Sequence, residues 1–118
     1  MKKAEVVLNK LAALPGVRAV MLVSGDGLPL EAVMRDETLN ADELAAIARD
    51  GVAATRQMVA EIDGGQFVQG VVEYSKGTVL VTNLPLAMTL IVLATRSVNK
   101  ADLWNGVAAH FAEVLKAL

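Results

Sequence analysis

The side chains that could carry catalysis are few in this sequence, and their spacing matches no catalytic motif. There is one histidine, His110, and no cysteine, so the chain lacks a second imidazole for a proton relay and any thiolate nucleophile. Ser24-Gly25-Asp26-Gly27 lacks the nucleophile-elbow pattern. Gly64-Gly65 lacks the Lys-Ser/Thr of a phosphate loop. We therefore predict no enzyme, no catalytic residue, no cofactor and no metal site, with His110 on a solvated helix face.

The charged residues give no sign of an acid–base pair or of a nucleic-acid surface. The thirteen acidic residues include Asp36-Glu37 and Asp42-Glu43, which suit helix entries because negative charge is favoured at that end of the helix dipole. The eleven Lys and Arg residues are scattered, and the net charge is -2, so no basic patch for a phosphate backbone is expected. Nucleic acid is not a predicted partner.

No segment predicts membrane insertion or secretion. The longest apolar stretch, Leu84 to Ala94, is interrupted by Pro85 and Thr89 and is about half of the ~20 residues that span a bilayer. Polar residues also interrupt the apolar stretch that a signal peptide would need after Lys2-Lys3. The absence of cysteine fits a reducing compartment, so the expected location is the cytoplasm.

Two arginines are the best candidates for contact with a partner. Arg49 and Arg56 are seven residues apart, which places them on the same face of a helix. The planar guanidinium group pairs with carboxylates, and its aliphatic stem covers apolar surface. They could equally be solvated flanks of an apolar stripe, and the sequence leaves both interpretations open.

Hydrophobic periodicity predicts the elements that would position these residues. The predicted helices are Ala4–Leu14, Ala41–Ile62 and a last helix capped by Asn99 that runs to about Leu115; the predicted strands are Val17–Val23, Leu28–Met34, Phe67–Tyr74, Thr78–Asn83 and Met88–Thr95. The order is α-β-β-α-β-β-β-α, and short turns within each group of strands require antiparallel pairing. The predicted fold class is α/β: a three-layer α/β/α sandwich with a five-stranded antiparallel sheet, forming one domain over residues 1–118.

The fifth strand indicates which part of the sheet is buried. Thr89 to Ala94 is apolar on both faces, so it is expected in the sheet interior with helices on either side. Asp26-Gly27 is expected to make the first hairpin turn, because glycine readily adopts the positive φ that a tight turn requires.

The middle helix carries two apolar stripes, which predict two different contacts. The first consists of larger residues at the spacing that packs onto a sheet, and we predict that it belongs to the core; its members are Leu44, Ile47, Gly51, Ala54, Met58 and Ile62. The second consists mainly of small residues, Ala41, Ala45, Ala48, Val52 and Val59. Small side chains let two helices approach closely, so this stripe is predicted to form a homodimer interface. The alternative is that the alanines only reflect helix propensity.

The third strand could complete that interface. It follows a helix and is expected at the sheet edge, where its unpaired backbone groups could meet a two-fold mate. The residues assigned to the interface here are Phe67, Gln69, Val71 and Glu73. A hydrophobic content of 54%, high for a chain of this size, supports burial against a partner.

Trp104 and Phe111 could line a ligand pocket in the last helix. Single aromatic residues at helical spacing are more often part of the core. The interpretation adopted from the sequence is therefore a core position for both residues.

Several segments together resemble the roadblock/dynein light chain family. The most specific are Leu14-Pro15-Gly16-Val17 and the stretch from Met21 to Leu30, which contains Ser24-Gly25-Asp26-Gly27-Leu28-Pro29. The entry to the middle helix at Leu39 to Leu44 and the strand Gly77-Thr78-Val79-Leu80-Val81 also agree with the family. The similarity covers essentially the whole chain.

This resemblance implies a longin-like fold that dimerises through the middle helix and the third strand. It also implies a module that regulates or scaffolds Ras-like small GTPases, as the bacterial gliding-motility GTPase-activating partner does, with no catalytic residue to carry over. A dynein light chain-like scaffold or a sensor that holds a small ligand between sheet and helix are the alternatives.

Overall fold

The computed structural model describes residues 3–118 of the chain and contains five strands and four helices over that range. They are α1 (Lys3–Ala12), β1 (Val17–Val23), β2 (Pro29–Met34), α2 (Ala41–Glu61), β3 (Gln69–Tyr74), β4 (Gly77–Asn83), β5 (Thr89–Thr95), α3 (Lys100–Ala109) and α4 (Phe111–Lys116). The predicted order of elements is confirmed. The last predicted helix is divided in two at His110, whose φ of -107° and ψ of 2° interrupt the helical backbone.

All strand pairs in the sheet are antiparallel, and the strand order is β2-β1-β5-β4-β3. The central position predicted for β5 is confirmed, and six of its seven residues are buried. The predicted edge position of β3 is also confirmed. Gly27 has the positive φ expected in the first hairpin turn, +82°. The side chain of Arg49 packs against it so closely that a Cβ atom at position 27 would lie 2.9 Å from the Arg49 Cδ.

One face of the sheet is covered by α1, α3 and α4. Their apolar residues interlock with those of β1, β4 and β5 to form the larger core, in which Leu8, Leu11, Val20, Leu90 and Val114 are fully buried. Asn99 caps α3 by accepting a hydrogen bond from the backbone N–H of Asp102. This layer contains the larger core, whereas the opposite face of the sheet is only partly covered.

The other face is covered by α2, and here the core role predicted for the larger-residue stripe is wrong for every member except Leu44, which packs against the smaller core. Ala45 is fully buried in the smaller core with Met21, Val23 and Ile91. The small-residue stripe therefore faces the sheet, while Ile47, on the larger-residue stripe, is 66% exposed. The physical reason is the spacing between α2 and the sheet. The side chains of the sheet already fill most of the space beneath the helix, so only residues as small as alanine fit against them.

Two smaller predictions about the helices on the α1 side of the sheet also need correction. Trp104 is not a core residue, because it is 42% exposed, although Phe111 packs against the core as predicted. His110 is half-buried at the helix break, 3.9 Å from a carboxylate oxygen of Glu113, and not on a fully solvated helix face.

The connection between β2 and α2 is held by Asp36. Its carboxylate accepts hydrogen bonds from the Thr38 hydroxyl, from the Arg18 guanidinium and from the Thr38 backbone N–H. These hydrogen bonds lower the pKa of Asp36 from its ordinary value of 3.8 to about 2, and the bond from the Thr38 hydroxyl makes the largest contribution. They favour the charged form, so protonation of Asp36 weakens this connection.

Stability should therefore fall in acid in a way that depends on Asp36. The pKa is lower in the folded chain, so the contribution is fully present above about pH 4 and is lost as pH falls toward about 2. Asp36→Asn is expected to flatten this part of the profile, measured as the urea midpoint from pH 6 to pH 2.5. Glu37→Gln is the matched control and should keep the wild-type slope. Equal slopes for Asp36→Asn and wild type would show that these hydrogen bonds do not stabilise the fold.

Candidate protein-interaction site

An open apolar groove lies between α2 and the part of the sheet that α2 leaves uncovered. Its volume is about 440 Å³. The floor includes Val79, Val81 and Leu93, and one wall is the flank of α2 that carries Leu44 and Ile47. We call this the α2 groove. Apolar surface of this extent on one face is typical of a contact with another molecule.

The second wall of the α2 groove is the edge strand β3. Val72 and Tyr74 line the groove and are exposed. Side chains alternate along a strand, so Gln69, Val71 and Glu73 point to the α3 side. Both faces of β3 and its outer edge are therefore accessible, and the backbone groups of this edge strand are open to pairing with another strand.

The exposed surface of α2 continues the groove. Met58 is 59% exposed and Ile62 is 73% exposed, and both lie on the same flank of the helix as Leu44, Gly51 and Thr55 at ~100° per residue. Large aliphatic side chains in water on one flank of one helix favour burial against a partner, at roughly 25 cal/mol for each Å² removed from water.

Arg49 and Arg56 lie on the other flank of α2, beside the loops at one end of the sheet. Arg56 Nη2 donates to Asn83 Oδ1 at 2.8 Å. Arg49 Nη1 donates to the backbone carbonyl of Asp26 at 3.4 Å, and its Nη2 lies 3.2 Å from an Asp50 carboxylate oxygen. Both arginines line a small cleft of about 90 Å³ between α2 and the β1–β2 loop. The structure thus brings the two predicted residues to one cleft, where both remain exposed.

The residues predicted for a dimer interface fall into three groups. Ala45, Val52 and Phe67 are buried within the chain, Ala41, Ala48, Val59 and Gln69 are half-buried, and Val71 and Glu73 are exposed. The buried members of the α2 stripe have no surface left for a partner. Glu73 is engaged on the α3 side, where Lys100 Nζ donates to its carboxylate at 2.6 Å and lowers its pKa.

Sequence reasoning missed the exposed residues of the groove and of the α2 flank that continues it, which are Ile47, Met58, Ile62, Val72 and Tyr74. The stripe that contains the first three was recognised, but the size of its side chains led to its assignment to the core. The alternation along β3 was a usable signal, because the same strand had to present Val72 and Tyr74 on the face opposite Val71.

Within residues 3–118 no group of three or more His, Asp and Glu side chains is placed to hold a metal ion. Over the same range no helix combines the length and the apolar character that crossing a bilayer requires. An apolar groove beside an open sheet edge, on a three-layer α/β/α fold, is a surface typical of the class of protein-interaction modules.

The Roadblock/LC7 domain family is the particular family within that class. Its sequence model matches residues 3–94, and the chain belongs to this family, whose members are generally binding and regulatory modules. No curated protein matched the sequence.

Solved structures share the fold over nearly the whole chain. Myxococcus xanthus MglB superposes with a TM-score of 0.88 at 18% identity, covering 97% of this chain and 86% of that chain. A Roadblock/LC7 domain from Streptomyces avermitilis gives 0.82 at 28% identity, covering 93% and 92%. An MglB described as having a tetrameric arrangement gives 0.85 at 15% identity, covering 98% and 87%.

Proposed function

We propose that this protein forms a homodimer through the α2 groove and strand β3, and that the dimer regulates or scaffolds a Ras-like small GTPase. The observation that carries the proposal is the open α2 groove beside an edge strand. Membership of the Roadblock/LC7 family supports a module that binds or regulates small GTPases. The tetrameric arrangement of one MglB supports self-association of this fold.

The geometry of the groove suits a second copy of the same chain. In a two-fold dimer, each subunit presents the same patch to the other. The exposed flank of α2, with Ile47 and Met58, supplies large apolar side chains, and the floor around Val79 and Val81 supplies an apolar receptor. Two β3 edges meeting across the axis would satisfy their open backbone groups. The proposed interface therefore differs from the one predicted from the sequence. It uses the flank of α2 that carries Ile47 instead of the small-residue stripe, and it keeps strand β3.

The arginine flank remains available in such a dimer. Arg49 and Arg56 are on the side of α2 away from Ile47 and the groove. Their present partners are two neutral oxygens, of Asp26 and Asn83, and the exposed carboxylate of Asp50. Such contacts are readily exchanged for a carboxylate on a partner surface, which a guanidinium group binds more strongly. We place the GTPase on the outer surface of the paired α2 helices, oriented by these arginines.

The Arg49→Ala, Arg56→Ala double variant is expected to bind the GTPase at least about tenfold more weakly, because loss of an arginine anchor typically costs ~1 to 2 kcal/mol. The measurement is calorimetric titration of the purified protein against each small GTPase of its host, in both nucleotide states.

The charge-matched control is Lys76→Ala, Lys116→Ala, which removes two positive charges from exposed positions outside α2 and should leave affinity unchanged. Failure of every GTPase to bind in either state would contradict the proposed function. Equal weakening by both double variants would show a general charge effect and would remove the arginines from the site.

A further inference from the structure

A second groove lies on the opposite side of the sheet, between β3 and the helices α3 and α4. Its volume is about 340 Å³, within the range of small-molecule sites. None of its lining residues is ionisable, and they include Gln69, Thr82, Trp104 and Phe111. We call it the α3 groove. Because the lining is uncharged, the groove suits a neutral ligand.

The floor of the α3 groove contains a buried hydroxyl group that lacks a hydrogen-bond partner. Thr82 is 96% buried, and among the described residues its Oγ1 is the buried side-chain atom left without a partner. A buried hydroxyl without a hydrogen-bond partner destabilises the protein, and a hydrogen bond to a ligand removes that loss. Gln69 lies directly opposite Thr82 in the β3–β4 ladder. A hydroxyl and a carboxamide, each both donor and acceptor, therefore stand side by side.

The walls are aromatic and aliphatic. Trp104 is half-exposed although it is the largest apolar side chain of the protein, and Phe111 is half-buried beside it. Indole and phenyl rings hold planar aromatic molecules by stacked or edge-to-face contact. The exposed indole of Trp104 and the unpartnered hydroxyl of Thr82 thus belong to residues that line the same groove.

We propose that the α3 groove binds a small, neutral, planar aromatic molecule that carries a carboxamide or lactam group. The ring packs against Trp104 and Phe111, and the amide group hydrogen-bonds with the Thr82 hydroxyl and the Gln69 carboxamide. An amide matches this pair because it too offers a donor and an acceptor. The site lies on the face of the sheet opposite the α2 groove, and the inference goes beyond the proposed GTPase function.

Benzamide is the probe for this site. The full ¹⁵N-labelled chain is titrated with benzamide to millimolar concentration, and the Trp104 indole N–H is followed by NMR. Trp104 is the only tryptophan, so its indole signal is unambiguous. A saturable shift of that signal is expected. Toluene, which lacks the amide, should bind more weakly, and benzoate should bind more weakly still because no cation lines the groove to pair with its charge.

Thr82→Val separates a ligand site from a merely structural residue. The substitution keeps shape and removes the hydroxyl, so it should lower affinity for benzamide about tenfold and leave toluene binding unchanged. The melting temperature of the Thr82→Val variant should not fall, because the hydroxyl that is removed makes no hydrogen bond in the folded protein. Thr78→Val, on the same strand and face but outside the groove, should leave both affinities unchanged. Gln69→Leu, at the exposed edge, provides a second test if Thr82→Val fails to fold.

Three results would overturn the proposal. One is the absence of a saturable indole shift up to the solubility limit of benzamide. Another is equal benzamide affinity in wild type, Thr82→Val and Gln69→Leu. The third is a benzamide shift confined to the backbone amide signals of Val79 and Val81 without Trp104, which would place the ligand in the α2 groove.

Discussion

Ile47→Glu is expected to convert the proposed dimer into a monomer without loss of the fold. Ile47 is 66% exposed in the single chain and lines the α2 groove, so a glutamate there is solvated in the monomer and costs little. In the two-fold dimer the same substitution places two unpaired carboxylates in an apolar contact. The association constant should fall at least about a hundredfold, or about 3 kcal/mol. The measurement is light scattering coupled to size-exclusion chromatography from 1 to 100 µM.

Leu86→Glu is the matched control, because Leu86 is 81% exposed in the β4–β5 turn and lies outside the α2 groove. It introduces the same charge and should leave the dimer intact. Circular dichroism should be the same for both variants and the wild type. A monomeric wild type at 100 µM, or a dimer that survives Ile47→Glu, would rule out the α2 groove as the subunit contact.

Ala45→Glu, only two residues away, is expected to destabilise the fold itself. Ala45 is fully buried between α2 and the sheet, against Met21 and Ile91. A glutamate there has neither room nor an opposite charge, and an uncompensated buried charge costs about 3 to 5 kcal/mol. That is a large fraction of the 5 to 15 kcal/mol of a typical domain. The free energy of unfolding is measured in urea, in the Ile47→Glu background so that dimerisation does not contribute.

Ala46→Glu is the control for this second prediction, because Ala46 is exposed on the neighbouring face of the same helix. Its effect should stay within about 0.5 kcal/mol, as for most surface substitutions. If Ala45→Glu, introduced alone into the wild-type chain, gave a folded monomer, the small-residue stripe would be the subunit contact, and the orientation of α2 in the structure would be contradicted.

The element order could be determined from the sequence. Local patterns are sufficient for it: Asp26-Gly27 requires a turn, Asn40 and Asn99 cap helices through backbone N–H groups, and a strand apolar on both faces must be central. The Leu14-Pro15-Gly16-Val17 motif indicated the family, which the match over residues 3–94 established. Each of these signals lies within about ten residues of chain, where sequence spacing and spatial spacing correspond.

The tertiary structure decided which flank of α2 faces the sheet. Both stripes of that helix are apolar, so periodicity alone does not distinguish them, and the choice depends on how much space the β1 and β5 side chains leave beneath the helix. Met21, Val23 and Ile91 fill that space, so only side chains as small as Ala45 fit. The larger Ile47 and Met58 are displaced to the surface. The fit between distant segments is not encoded in the sequence of either one, so the candidate site, unlike the order of elements, required the packed structure.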